Sequence, residues 1–104
     1  MLQIMLVCAG GMSTSLLMNK MKEAAKNRGL EINVWATAQG DAKNHYDVSD
    51  CVLVGPQIRF AIKKMEEEIK GRCPIQGIEM KDYGSMNGEK VLDLALSLIE
   101  NFRK

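Results

Sequence analysis

The sequence predicts an α/β protein: a four-stranded parallel sheet in the order 2-1-3-4 with helices on both faces, half of a flavodoxin-like fold. Three observations carry this. Short apolar runs bounded by turn residues alternate with stretches whose apolar residues recur at helical spacing. The runs at 2–7 and 51–54 are mostly apolar on consecutive positions, as in strands buried on both faces. Right-handed crossovers between parallel strands then narrow the topology to a doubly wound sheet. In that sheet the winding reverses between strands 1 and 3, and ligands bind in the crevice at the carboxyl ends of those strands.

The elements follow in order. Residues 2–7 are the first strand. Leu16, Leu17, Met21, Ala24 and Ala25 repeat at helical intervals, so a helix begins near Leu16, with Gly29 as its stop. In residues 30–36, Ile32, Val34 and Ala36 alternate with Glu31 and Asn33, as in an edge strand. Residues 37–50 are polar and read as a loop with at most a short helix around Ala42. Residues 51–54 form a third strand stopped by Gly55-Pro56. Ile58, Ala61, Ile62, Met65 and Ile69 mark a second helix, closed by Gly71. Residues 74–78 form a short fourth strand, and Met80 to Gly88 a loop. Val91, Leu92, Ala95, Leu96, Ile99 and Phe102 mark the last helix.

The chemistry-bearing stretch is Cys8-Ala9-Gly10-Gly11-Met12-Ser13-Thr14-Ser15, between the first strand and the first helix. Two glycines let the backbone curl tightly, and small neighbours leave it uncrowded. The free N–H groups of the loop and of the helix's first turn then converge on one point, with the positive end of the helix dipole behind them. That is a nest for a phosphate, and the same field favours a nucleophilic thiolate on Cys8. Topology puts the loop at the winding reversal, beside Gly55-Pro56-Gln57. Met12, inside the loop, is the one methionine expected off the core, as a pliable contact for partners. Tyr83 is expected on the same rim, where it helps shape a docking surface.

What the loop lacks is equally informative. The spacing is neither G-x-G-x-x-G nor a Walker loop with its lysine. A thiol phosphatase of the C-x5-R type clamps the phosphoryl group with arginine, but the sixth residue after Cys8 is Thr14. The loop contains no cation to neutralise the transition state for attack by water, and no histidine or carboxylate to activate water. This combination fits a carrier that keeps its phosphoryl group until a partner takes it. A thiol-dependent low-molecular-weight phosphatase and a redox-active thiol binding module are the alternatives. Cys51 opens a buried strand and Cys73 lies in a turn; both read as structural thiols, and His45 as a surface residue.

Composition narrows the field. With 104 residues, 46% hydrophobic and 26% charged, the chain is expected to be one globular domain over residues 1–104. A net charge of +1 offers no electrostatic case for nucleic acid or an anionic membrane. No apolar run approaches the ~20 residues of a bilayer span, and the N-terminus has no signal-peptide pattern, so a cytoplasmic location is expected without direct membrane insertion. Three widely spaced cysteines and one histidine make neither a redox pair nor a metal site, and no cofactor is expected.

Cys8 and the following Ala-Gly-Gly-Met-Ser-Thr-Ser-Leu-Leu resemble the phosphorylation loop of the IIB components of the bacterial sugar phosphotransferase system, lactose/cellobiose class. Val52-Leu53-Val54-Gly55-Pro56-Gln57-Ile58 resembles that family's second signature, and Tyr83-Gly84 and the closing helix also fit. The similarity covers essentially the whole chain. It implies that Cys8 accepts a phosphoryl group from a histidine of a IIA partner. It also implies delivery to a sugar, commonly a disaccharide, held by a membrane-embedded IIC partner. The residues placed to bind the phosphate are Ala9, Gly10, Gly11, Met12, Ser13, Thr14 and Ser15. Those placed to meet partners are Met12, Gly55, Pro56, Gln57 and Tyr83.

Overall fold

The computed structural model describes residues 1–9 and 13–103. Four strands, β1 (Leu2–Cys8), β2 (Ile32–Ala38), β3 (Cys51–Val54) and β4 (Ile75–Gly77), form one parallel sheet in the order β2-β1-β3-β4. Helices α1 (Ser13–Asn27) and α4 (Gly88–Arg103) pack on one face. The other is covered by α2 (Ile62–Ile69) and by 3-10 helices at Gln39–Asn44, Tyr46–Val48 and Pro56–Ala61. A short helix, α3 (Met80–Gly84), precedes α4. The expected order and layering are therefore those observed.

The alternation of a strand's side chains sorts the core into two layers. Ile4, Leu6 and Leu53 meet Leu17, Met21, Leu92 and Ala95 on the α1–α4 side. Met5, Val7, Val52 and Val54 meet Ile58, Ala61, Met65 and Ile69 on the other. β1 and β3 contribute to both layers, which is why their sequences are apolar without alternation. Truncating a side chain as enclosed as Leu17 costs about 2–5 kcal/mol.

Several boundaries differ from expectation, each for a local reason. β2 begins at Ile32, not Leu30, because Leu30 belongs to the cap of α1. Gly29 adopts φ 71°, the Gly29 N–H donates to Lys26 O and the Leu30 N–H to Ala25 O, a Schellman arrangement. The second helix opens as a 3-10 turn from Pro56 and becomes α-helical only at Ile62. Lys70 (φ 54°) and Gly71 (φ 79°) end it in the left-handed region. The polar stretch 37–50 is largely 3-10 helix, anchored by Ala42 and Tyr46, both buried. The expected loop from Met80 to Gly88 is corrected: it holds α3, and Gly88 starts α4. The glycines and asparagine that suggested a loop account only for the short turn between these two helices.

Candidate active site

Cys8 is the last residue of β1 and lies at the carboxyl edge, where the sheet's winding reverses. It pairs with Ala38 of β2, while its neighbour Val7 pairs with Val54 of β3. It shares the face of Ile4 and Leu6, the α1 side, and is 6% exposed. Ala9, next along, is exposed.

Helix α1 starts at Ser13, earlier than the expected Leu16. Ser13, Thr14 and Ser15 are thus its first-turn residues, whose N–H groups have no partner within the helix. No acidic side chain stands in that turn to neutralise the positive end of the helix dipole, and Lys26 in the last turn interacts favourably with the negative end. Ser15 is exposed. Gly10, Gly11 and Met12, expected to complete the phosphate nest, lie outside the described residues, as do the side chains of Ser13 and Thr14.

Gly55, Pro56 and Gln57 follow β3 at the same edge. The Gly55 N–H donates to Val7 O at 2.8 Å, tying this turn to β1 one residue before the thiol. Gly55 is buried, Pro56 half-buried and Gln57 exposed. Pro56 takes the first position of the 3-10 helix, where its fixed φ suits a helix start.

Tyr83 is a correction. Expected on the rim, it is 7% exposed and packs in the core with Leu92 and Val91, because α3 turns that face inward. It supports this end of the molecule from beneath and does not offer its ring as surface. Among the described residues, the large apolar side chains exposed on elements that begin at the carboxyl edge are Leu16 in α1, Phe60 in the 3-10 helix Pro56–Ala61 and Met80 in α3. The sequence carried a signal for Phe60: it falls off the stripe Ile58, Ala61, Ile62, Met65, Ile69. The expectation that Met12 alone among the methionines stands off the core is corrected: Met80 is 63% exposed and Met1 73%, while Met12 lies outside the described residues.

The other thiols are enclosed. Cys51 is fully buried, and burial pushes its pKa up to about 12. Cys73 is 4% exposed, and burial pushes it up as well, with Arg72 opposing. Neither becomes a thiolate near neutral pH. His45 is half-buried, its Nε2 3.2 Å from Asp41 Oδ2 and its ring tilted against Trp35, away from the thiol's edge. No group of His, Cys, Asp and Glu among the described residues could hold a metal ion. Among them, too, no helix is long and apolar enough to cross a membrane.

Comparison with known proteins agrees with this geometry. Residues 3–94 match the family model described as "PTS system, Lactose/Cellobiose specific IIB subunit". The chain is 41% identical to the oligo-beta-mannoside-specific EIIB component of Bacillus subtilis, covering 97% of this chain and 99% of that one. It is 40% identical to the cellobiose-specific EIIB component of Lactococcus lactis, over 92% of this chain and 94% of the relative. The solution structure of a cellobiose-specific phosphotransferase IIB component from Borrelia burgdorferi superposes with a TM-score of 0.81 at 42% identity, covering 96% and 93%. The chain belongs to the lactose/cellobiose-class IIB family of the sugar phosphotransferase system, and is a phosphoryl carrier and transferase that works through an active-site cysteine.

Proposed function

We propose that Cys8 is that cysteine and that the 104 residues act as one phosphotransferase domain. One observation carries the assignment. Of the three thiols, Cys8 alone ends a strand at the carboxyl edge beside the winding reversal, with the first turn of α1 just beyond. Cys51 sits inside the sheet and Cys73 precedes β4 at its other end.

In the accepting step the Cys8 sulfur attacks phosphorus of a phosphohistidine on the IIA partner. The S–P bond forms, the N–P bond breaks, and the thiol proton ends on the released imidazole. In the donating step a sugar hydroxyl on the IIC partner attacks the same phosphorus. The O–P bond forms, the S–P bond breaks, and the hydroxyl proton returns to the sulfur. The N–H groups from Ala9 to Ser15 bind the phosphoryl oxygens, helped by the Ser13, Thr14 and Ser15 hydroxyls and the α1 dipole. A loop without cations, histidine or carboxylates holds the group with little help for attack by water.

The acceptor is a disaccharide, the class to which the cellobiose-specific relatives point. Donor and acceptor dock in turn on one face, formed by Met12, Gly55, Pro56 and Gln57 with Leu16, Phe60 and Met80 around them. Exposed apolar side chains at an otherwise polar surface fit such short-lived contacts. The test is to incubate the protein with a phosphorylated IIA protein of this class and, separately, with an aryl phosphate. A stable phosphocysteine on Cys8 and no release of the aryl alcohol are expected. Labelling that survives in Cys8→Ser, or steady aryl phosphate hydrolysis, overturns the proposal.

A further inference from the structure

Gly55 has φ −60° and ψ 147°, a conformation open to any residue, so what its place demands is space. A Cβ there would lie 3.2 Å from Gln57 Oε1, 3.5 Å from Val7 O and 3.9 Å from the Cys8 Cα. The terminal amide of Gln57 is therefore folded back over Gly55, and it and the Cys8 backbone both lie within 4 Å of one point. The backbone around that point is held by two hydrogen bonds, Gly55 N–H to Val7 O at 2.8 Å and Ile58 N–H to Gly55 O at 3.1 Å. The amide itself has no hydrogen-bond partner among the described residues.

We propose that the Gln57 amide binds the phosphoryl group on Cys8, which rests on the reading of Cys8 as the nucleophile. A half-turn about the last side-chain torsion exchanges the amide's oxygen and NH2, so the donor end can face the phosphoryl oxygens. Phosphocysteine presents three acceptor oxygens and close to two negative charges, and the Cys8 loop has no cationic side chain. A neutral amide adds a strong charge-assisted bond without fixing a positive charge on the phosphoryl group. The group therefore remains transferable: the amide stays in place while the S–P bond forms at the expense of N–P, and again while O–P forms at the expense of S–P. Gly55 is the positioning residue that leaves room for this amide.

Gln57→Glu and Gln57→Ala test it, because Gln57 is exposed and neither change disturbs the core. Each variant is phosphorylated to completion with a phosphorylated IIA protein, and the phosphocysteine 31P signal is followed against pH. Above about pH 6, Gln57→Glu should accept the phosphoryl group about tenfold more slowly than wild type, and protonating the new carboxyl should restore part of the rate. In Gln57→Glu the 31P signal should also titrate at higher pH than in wild type, since a carboxylate beside the phosphoryl group disfavours its dianion. Slower acceptance with an unchanged 31P titration would assign Gln57 to docking alone and overturn the proposal. Unchanged rate and titration would overturn it too. Absence of any phosphocysteine in wild type would instead defeat the reading of Cys8, and this inference with it.

Discussion

A Cβ on Gly88 would lie 2.6 Å from the carbonyl oxygen of Lys20 and 2.6 Å from the Lys20 Cβ. The first turn of α4 thus rests directly on the backbone of α1. This close approach sets how nearly α4 can lie against α1, the helix that follows the Cys8 loop in the chain. Glycine is required here by the close approach of two helices.

Gly88→Ala should therefore destabilise by about 1–3 kcal/mol, the usual cost of overpacking where backbone must yield. Urea unfolding checks this: the midpoint should fall and the slope should not change. A midpoint equal to wild type would mean that the two helices separate freely.

The three cysteines should separate by chemistry. Cys8→Ser should abolish phosphoryl acceptance and leave the fold intact. Cys51→Ser and Cys73→Ser should retain acceptance, and Cys51→Ser should lose about 1–3 kcal/mol, since its hydroxyl would be buried where the thiol needed no partner. Mass spectrometry of the phosphorylated proteins, with thermal unfolding of each, reads both effects.

Stability should fall at alkaline pH in a way that traces to Cys51 and Tyr46. Burial raises Cys51 from 9.0 to about 12. Burial, with the hydrogen bond from the Tyr46 hydroxyl to Glu68, raises Tyr46 from 10.0 to about 12. Above the ordinary values the unfolded chain has released protons that the folded chain still holds, so each contribution is complete below its ordinary value and lost as pH rises toward 12. Unfolding free energies measured between pH 8 and 11.5 should decline from near pH 9. Cys51→Ala should make the early decline shallower and Tyr46→Phe the later one. Parallel curves for all three proteins would show that neither group governs it.

Donor and acceptor should exclude one another. The phosphoryl group must come within bonding reach of both partners at one sulfur, so the IIA and IIC complexes should compete and both should be transient. Titration with a IIA protein, followed by amide chemical shifts, should perturb residues 55–60 and the start of α1. Shifts confined to the opposite end, around Cys73 and Phe102, would contradict a shared face.

Most of the strand and helix order was legible in the chain, because it is written in local periodicity. The unbroken apolar positions of β1 and β3, the alternation in β2, and the stripes of α1, α2 and α4 each reflect what a neighbouring layer does to one segment. The thiol followed by small residues and a helix start was legible for the same reason. The stretch 37–50 was less so: 3-10 turns are too short to show a period, and their anchors, Ala42 and Tyr46, are only two residues.

Tertiary structure decided what depends on approach between distant segments. Tyr83 looked like a rim residue because it stands among turn-forming neighbours. Only the packing of α3 against α4 buries it. Gly88 looked like loop punctuation, and the closeness of Lys20 makes it a contact point between helices. Gln57 was legible as a partner-facing residue beside the Cys8 loop; that its side chain folds back, so that its amide oxygen and the Cys8 Cα both lie within 4 Å of one point over Gly55, was decided by the pairing of β1 with β3. A side chain's neighbours along the chain set its conformational preferences, but the neighbours it acts upon are chosen by how the layers close, and no local pattern encodes that.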